Sequence, residues 1–385
     1  MVTNGATMDI SRRNLLAGAG ATMAMAMTSA GGARTARNRT PDWYRGAIVI
    51  DGLGGIGDPY APEDQLRFSD RARTELLSTG VTACNLTITP VGNDPDIWAK
   101  INQGLDMWGY VIAANPDFLV PIRKASDIAA ARAAGKMGLI YGTQDTSMVG
   151  AALDRIATLK GRGVRVMQLT YNLRNLSGDG ALEPGNAGLS RLGHATIARI
   201  EAEKLLLDLS HAGARTISEG IAAATRPLTI SHTGCRALFD HPRNTSDESL
   251  KALADKGGVA GIYFMPYLSP NFKPTGAELV AHIEHMANVC GEDHVGIGSD
   301  NGPMPIPVNA QTLEAARLDY EQRKAAGFAA PGEGPEVMTL VADYNSLDRF
   351  QRLARVLEGR GWSQSRLEKF FGGNLLRLYG EVWES

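Results

Sequence analysis

The 385-residue sequence has only three cysteines, Cys84, Cys235 and Cys290, which are far apart in the chain. An odd number of cysteines without metal-finger spacing predicts neither a disulfide framework nor a zinc-finger domain. The sequence also lacks an excess of charge, because 39 basic and 41 acidic residues give a net charge of -2. This balance gives no electrostatic attraction to a phosphate backbone, and we predict no nucleic-acid partner.

Long apolar runs are missing after residue 30, so no later stretch approaches the roughly 20 apolar residues that a membrane-spanning helix needs. The N-terminus carries Ser11-Arg12-Arg13-Asn14-Leu15-Leu16, followed by a short stretch rich in Gly, Ala and Met. This arrangement is typical of a twin-arginine export signal, and a disordered basic tail is the alternative. We predict that residues 1–36 are signal and linker, and that the mature protein is periplasmic or extracellular.

The rest of the chain alternates apolar runs with helical segments, and 44% of all residues are hydrophobic. Eight runs are predicted strands, at 47–51, 81–88, 138–142, 164–171, 205–211, 228–232, 259–265 and 294–300. Most are continuously apolar, as expected of parallel strands that are covered on both faces. We therefore predict an α/β fold, a TIM-type (β/α)8 barrel that residues 41–385 form as one domain. A ninth run at 118–122 is predicted to be an edge piece outside the barrel, and Gly372-Gly373-Asn374 a turn or cap between C-terminal helices.

Two histidines, His211 and His232, each close one of these strands, and the segment between them has helical composition. Strand, helix and strand in this spacing form a βαβ unit, which places both histidines at the same edge of the sheet. Two imidazoles with a carboxylate can bind zinc or a similar divalent ion and leave a position open for water. A single histidine at a strand end is more often structural, but two in equivalent positions favour a metal site.

Other polar residues at strand ends are Asp51, Gln144, Tyr171, Asn172 and Asp300, which a barrel gathers over one pocket. Asp300 is a candidate for proton transfer, and the alternative is that it caps a turn. Tyr171 is a candidate donor of a hydrogen bond to a developing oxyanion. Arg243 follows the second histidine and is a candidate to bind a substrate carboxylate, with a surface salt bridge as the alternative.

Several segments together resemble the membrane (renal-type) dipeptidase family of metallopeptidases: VRVMQLTYNLRN, LLLDLSHAG, TISHTGCRAL, HPRNTSDE, HVGIGSD and FFGGNLLRLYGEVW. The resemblance implies an amidohydrolase-like barrel with a two-metal site, a dipeptide-like substrate and a homodimer. In the family, the histidines that match His211 and His232 bind one metal ion. The aspartate that matches Asp300 serves in proton transfer, and the arginine that matches Arg243 holds the substrate.

The sequence departs from the family pattern at three places. The family's Asp-Gly-His-x-Asp, which supplies two metal ligands, is replaced by Asp51-Gly52-Leu53-Gly54-Gly55. Gln144 stands for the bridging glutamate, and a neutral amide is a poor bridge between two cations. Tyr171 replaces the family's substrate-polarising histidine. We therefore expect at most a one-metal site with one divalent cation, zinc being the expected metal, next to Gln144 and Asp51, with Asn172 binding substrate.

The leading hypothesis is an exported dipeptidase-like hydrolase that acts on a small amide or peptide-like substrate with a carboxylate. One alternative is an isomerase or lyase acting on a specialised metabolite, with Asp300 and Tyr171 as acid and base. Another is a non-catalytic protein that binds a ligand in the barrel pocket. Metal content discriminates between these hypotheses, because one ion per chain supports the first and none favours the alternatives.

Overall fold

The computed structural model of the chain describes residues 40–384 except Glu63, Thr89 and Asn93, so the predicted export signal lies outside the described residues. This part of the chain contains nine strands: β1 Ile50–Gly54, β2 Ala83–Thr87, β3 Leu119–Pro121, β4 Met137–Thr143, β5 Val164–Gln168, β6 Leu206–Asp208, β7 Thr229–Thr233, β8 Val259–Ile262 and β9 Val295–Ile297. They form one sheet in the order β2-β1-β9-β8-β7-β6-β5-β4-β3, and β2 also pairs with β4. This last pairing closes eight parallel strands into a TIM barrel and leaves β3 at the edge, which confirms both predictions.

Helices follow the strands and cover the outside of the barrel: Asp42–Gly46, Asp70–Ser78, Ile97–Ala114, Ala125–Ala133, Asp154–Gly161, Arg191–Ala202, Ala214–Ala223, Asp247–Asp255, Gly276–Cys290, Ala310–Ala325, Arg349–Gly359, Gln364–Glu368 and Asn374–Trp383. Short 3-10 turns lie at Pro266–Leu268 and Ala342–Tyr344. Helix Gly276–Cys290 begins with a capping box, in which Thr275 and Glu278 satisfy each other's backbone N–H groups. Among the described helices, none is long and apolar enough to cross a membrane.

The βαβ unit predicted around the two histidines is present as β6, helix Ala214–Ala223 and β7. Strand β6 ends at Asp208, three residues before the predicted end, because the Ser210 N–H turns back to donate to Asp208 Oδ1 at 2.9 Å. His211 follows with a φ of 59°, in the left-handed region that side chains other than glycine rarely adopt. The histidine is therefore aimed by a turn and not by the strand itself.

His232 lies inside β7, at an irregularity of the sheet. The register with β8 shifts between Ile230 and Thr233, so that Ser231 and His232 form a bulge. A Cβ atom at Gly261 or at Gly298 would lie 1.9 or 1.7 Å from the Ser231 carbonyl oxygen. Only glycine fits at these two positions, and the neighbouring backbones can then approach the bulge that aims His232.

Two seams of the barrel, β1 with β9 and β6 with β7, share one residue pair each. At the first seam, Asp51 accepts hydrogen bonds from the N–H and Oγ of Ser299 at 2.8 and 2.5 Å. At the second, Asp208 accepts from the N–H and Oγ of Ser231 at 3.0 and 2.5 Å. At both seams, the hydrogen bonds to these buried carboxylates join strands that share few backbone hydrogen bonds. Burial raises the pKa of Asp51 to about 7, although the hydrogen bonds from Ser299 lower it.

The prediction of a turn or cap at Gly372-Gly373-Asn374 is wrong, because the chain stays helical there without a break. A π-helix at Lys369–Gly373 leads directly into helix Asn374–Trp383. A Cβ at Gly372 would lie 2.2 Å from the Ile48 carbonyl oxygen, so this glycine permits close packing against the start of the barrel. Asn374 serves as an anchor, since its side chain donates to the carbonyls of Glu292 and Val295 at 2.8 Å.

Candidate metal and substrate site

The barrel brings His211 and His232 together at the carboxyl ends of the strands. Their ring centroids are 4.8 Å apart and their planes meet at 61°. Both rings are buried, with 6% and 0% of the residue exposed. Burial lowers both pKa values well below the usual histidine value, and the nearby Arg243 guanidinium lowers them further. The two imidazoles are therefore neutral, which is the form that binds metal ions.

Hydrogen bonds fix which ring nitrogen of each histidine carries the proton. Asn172 directs its amide N–H to the Phe328 carbonyl at 2.7 Å, so its Oδ1 faces His211 Nδ1 at 2.7 Å as an acceptor. The Ser231 hydroxyl donates to Asp208, so its oxygen accepts from His232 Nδ1 at 2.8 Å. Both Nδ1 atoms therefore carry hydrogen, and both Nε2 atoms keep a free lone pair.

These histidines fit one divalent cation. His232 Nε2 is buried and has no hydrogen-bond partner in the described part of the chain, which is costly unless a ligand completes it. Leu53 on β1 is a buried apolar core residue and offers no metal-binding atom. Across residues 40–384, apart from the three left out, no cluster of three or more His, Cys, Asp or Glu side chains is arranged to hold a metal. The donors present suit a single cation with water or substrate in its remaining positions.

Tyr171 lies against the first histidine, where its ring stacks on His211 with centroids 4.0 Å apart. Its hydroxyl accepts a hydrogen bond from Arg323 Nη1 at 2.9 Å. Asn172 is the next residue. Its amide N–H donates to the Phe328 carbonyl and its Oδ1 accepts from His211 Nδ1, so these contacts orient the histidine. Asn172, His211 and Asp300 have positive φ angles of 45°, 59° and 56°, a strained conformation that is often found at functional sites.

Arg243 is buried, with 4% of the residue exposed, and its Nη2 has no hydrogen-bond partner among the described residues. Its backbone is held on both sides, because its N–H donates to His241 Nδ1 and its carbonyl accepts from Thr233 Oγ1 at 3.0 Å. The guanidinium lies 6.0 Å from the centroid of the Tyr263 ring. A surface salt bridge is thus the wrong interpretation, and a buried cation without a bonded anion favours an anionic ligand.

Asp300 follows β9, and its backbone N–H donates to the Leu53 carbonyl at 2.9 Å. Burial raises the pKa of its carboxyl to about 6, although the nearby Arg243 and Arg323 guanidinium groups oppose the rise. A carboxyl with a pKa close to neutrality is well matched to proton transfer.

Gln144 and Asp51, the two residues predicted to lie next to the metal, make their hydrogen bonds to residues other than the two histidines. Gln144 donates through Nε2 to Thr87 Oγ1 at 2.6 Å, and its backbone carbonyl accepts from Gln168 at 2.6 Å. Asp51 is occupied by Ser299 at the seam between β1 and β9. Within the described chain no hydrogen bond joins either residue to the two histidines.

Several residues around the site escaped the sequence analysis: Asp208, Ser231, His241, Tyr267, Arg323 and Glu333. The repeated Ser-His dipeptides at 210–211 and 231–232 were a usable signal, since Ser210 Oγ also accepts from the His232 N–H at 3.0 Å. His241 stacks on Tyr267 with centroids 4.5 Å apart, and its Nδ1 accepts from the Arg243 N–H. Arg323 had no local signal that linked it to the site, because Tyr171 lies 152 positions before it in the chain.

A closed parallel barrel with two neutral imidazoles, a carboxyl of raised pKa and a buried arginine at its carboxyl end defines an amidohydrolase-like metallohydrolase fold. Residues 70–316 match the family described as Membrane dipeptidase (Peptidase family M19). The chain therefore belongs to the membrane dipeptidase family, whose members are metal-dependent hydrolases.

Individual relatives agree with this assignment. The chain is 29% identical over 285 residues to Dipeptidase verJ of Clonostachys rogersoniana, which covers 73% of this chain and 65% of that protein. It spans 64% and 59% of two further fungal dipeptidases, and so less than two thirds of each of these curated relatives. A crystal structure of an amidohydrolase from Pseudomonas aeruginosa superimposes with a TM-score of 0.76 at 26% identity, over 89% of this chain and 99% of that one. A metallopeptidase from Rhodobacter sphaeroides shares the fold, with a TM-score of 0.68 at 18% identity over 88% of this chain and all of that one.

Proposed function

We propose that this protein is an exported dipeptidase-like hydrolase that cleaves a small amide or peptide-like substrate carrying a carboxylate. The observation that carries the proposal is that Arg243 Nη2 and His232 Nε2 are both buried without a hydrogen-bond partner among the described residues, with the Arg243 charge near enough to lower the pKa of His232. The first is suited to an anion and the second to a metal cation. A peptide-like substrate supplies the anion through its terminal carboxylate, and a cation held by His232 would polarise its amide carbonyl.

The proposed metal site holds one cation between His211 and His232. The hydrogen bonds to their Nδ1 atoms support this role, because such partners orient metal-bound imidazoles. A divalent ion held by these histidines would supply Lewis acidity and would lower the pKa of bound water. Zinc is our expected metal, since it binds histidine nitrogen in tetrahedral sites with an open position.

The protein's own side chains carry the remaining steps in this proposal. Arg243 binds the substrate carboxylate through two parallel N–H donors and so sets the position of the scissile amide. Asp300 takes a proton from the attacking water and returns it to the leaving nitrogen, a role that its pKa of about 6 allows. Tyr171 donates a hydrogen bond to the oxygen that becomes negative in the transition state.

The substrate class has one further source of support. The Rhodobacter sphaeroides metallopeptidase was crystallised with a phosphinate mimic of the dipeptide L-Ala-D-Ala. We therefore propose to screen this protein with dipeptides, including those with a D-residue at the second position, while the metal content is measured on the same preparation. Hydrolysis of at least one dipeptide supports the proposal, and the absence of hydrolysis across the panel contradicts it.

Arg243→Met is expected to lower kcat/KM for the best dipeptide by roughly 30-fold or more, which corresponds to about 2 kcal/mol or more. Methionine keeps much of the length of the side chain but removes the charge that binds the carboxylate. The matched measurement uses the same dipeptide with its C-terminus amidated, which the wild-type protein should cleave as poorly as the variant cleaves the free acid. If the variant discriminates between acid and amide as strongly as the wild type does, Arg243 does not bind the carboxylate.

Export is a separate part of the proposal and rests on the sequence alone. Replacing Arg12 and Arg13 with lysine is expected to leave the precursor in the cytoplasm, since the arginine pair is the feature that identifies the signal. Cell fractionation and immunoblotting of the wild type and the variant measure the outcome, and Arg34→Lys in the predicted linker provides a control. Unchanged export of the twin-lysine variant would remove support for the twin-arginine route.

A further inference from the structure

The last turn of helix Ala310–Ala325 and the residues that follow it, up to Glu333, bind three loops of the site. The Phe328 carbonyl accepts from Asn172, and the Pro331 carbonyl pairs with His241 Nε2 at 2.9 Å. Glu333 accepts from the Tyr267 hydroxyl at 2.5 Å. These loops follow different strands, so the segment from Arg323 to Glu333 fixes their relative positions over the end of the barrel.

Arg323 in this segment contacts Tyr171, the residue that stacks on His211. Its Nη1 donates to the Tyr171 hydroxyl at 2.9 Å. Its Nε and Nη2 donate to the two carboxylate oxygens of Glu333 at 3.1 and 2.9 Å. This two-point pairing neutralises the guanidinium and orients it, and Glu333 is held in turn by Tyr267 and by the Ala330 N–H at 3.0 Å.

The pairing separates the roles of the two arginines. Arg323 has its own carboxylate partner, so its charge is already balanced. Arg243 has no carboxylate within salt-bridge distance in the described part of the chain and remains available for the substrate. An explanation in which Arg323 binds the substrate carboxylate would require Glu333 to be displaced first.

The hydrogen bond from Arg323 determines the direction of the Tyr171 hydroxyl hydrogen. A guanidinium donates hydrogen bonds but cannot accept them, so the phenolic hydrogen cannot point towards Arg323. The described residues offer the Tyr171 hydroxyl no other hydrogen-bond partner. Stacking on His211 prevents the ring from turning away, and the hydroxyl therefore stays a donor that is ready for an incoming acceptor.

We propose that Arg323 is a positioning residue that holds Tyr171 as a hydrogen-bond donor to the scissile carbonyl oxygen of the substrate. The inference rests on the proposed hydrolase function and adds a residue to it. No bond is made or broken by Arg323, which acts only through the orientation of the Tyr171 hydroxyl. The effect should be largest in the transition state, where the carbonyl oxygen gains negative charge.

Arg323→Met is expected to lower kcat by about 10- to 100-fold and to change KM less than about twofold, because it removes a transition-state interaction and not substrate binding. Tyr171→Phe should lower kcat by about 100-fold. In the double variant, loss of Arg323 should cost less than about twofold beyond Tyr171→Phe, since there is no hydroxyl left to orient. The control is Arg317→Met on the same helix, where Arg317 pairs with Glu314 at the surface, and kcat should not change.

The melting temperature of each variant separates a local effect from unfolding of the segment. If Arg323→Met does not fold, Arg323→Lys is the second variant, and it should keep kcat within about tenfold of wild type because an ammonium still donates to Tyr171. Unchanged kcat, or losses that simply add in the double variant, would overturn the role of Arg323 while hydrolysis by the wild type still stands. A wild type that cleaves no dipeptide overturns the proposed function and this inference together.

Discussion

Asp300→Asn is expected to lower kcat for a dipeptide by about 10²- to 10⁴-fold, the usual cost of removing a general acid–base group. Asparagine keeps the shape of the side chain and tolerates the positive φ of 56° at this position, so the change is confined to proton transfer. Burial places the pKa of Asp300 at about 6, and wild-type kcat/KM should rise with pH through that value as the base deprotonates. The experiment is a pH–rate profile of both proteins, in which the limb near pH 6 disappears in the variant.

Stability should move in the opposite direction from activity. The pKa of Asp300 is raised in the folded state above the usual aspartate value, so the folded state binds more protons between about pH 4 and pH 6. Stability from this group is therefore present below about pH 4 and is lost as pH rises through 6. At pH 7 the asparagine variant avoids the buried charge and should be more stable by about 1–3 kcal/mol.

Asp240 provides the matched control for this experiment, because its side chain is exposed and pairs with Arg236 at the surface. Asp240→Asn should change neither kcat nor the pH profile, and its melting temperature should stay close to that of the wild type. An Asp300→Asn protein that is less stable than wild type and still active would indicate that Asp300 caps a turn and transfers no proton.

The barrel could be predicted because its strands are continuous apolar runs, and such runs are unusual outside parallel sheets with two covered faces. The ends of the strands were harder to place. β6 was predicted to reach His211, but the bond from Ser210 N–H to Asp208 ends it at Asp208. The same apolar run supplies both the strand and the turn, so composition alone does not separate them. The side chains of the site are aimed by those turns and by the bulge at Ser231.

The residues that position the site were missed for a different reason. Arg323 lies 152 positions after Tyr171, on a helix whose polar composition resembles any exposed helix. Asp51 lies on a strand near the site, as His232 does, but its carboxylate accepts a hydrogen bond from Ser299 and so joins β1 to β9. In both cases the function of the residue depends on a partner that only the folded chain brings near. Local sequence patterns predict where a strand lies and where it ends. The role of a residue at that end depends on the distant residues with which it pairs in the folded chain.

His232→Gln is expected to abolish metal binding and, with it, hydrolysis. His211 and His232 each direct one Nε2 lone pair to the site, so removing one leaves a single protein ligand with too little affinity to retain a divalent ion. The loss in affinity should exceed the roughly 10- to 100-fold that a supporting hydrogen bond contributes at such sites. Elemental analysis of the purified protein measures the ion content directly, and His194→Gln, on an exposed stretch of helix, is the control that should keep the metal.

Metal binding can also be measured without any substrate, because a ligand that binds only the folded state raises its stability. At a free metal concentration of 100 times Kd the gain is about 2.7 kcal/mol, which a melting curve resolves. The wild type should show this shift on titration with zinc, and His232→Gln should show none. Two tightly bound ions per chain would contradict the single-cation site, since neither Leu53 nor Gly55 offers a side-chain donor at the end of β1. If zinc does not raise the melting temperature and no ion is bound, His232 Nε2 does not bind a metal. A metal-dependent mechanism would then be wrong for this chain.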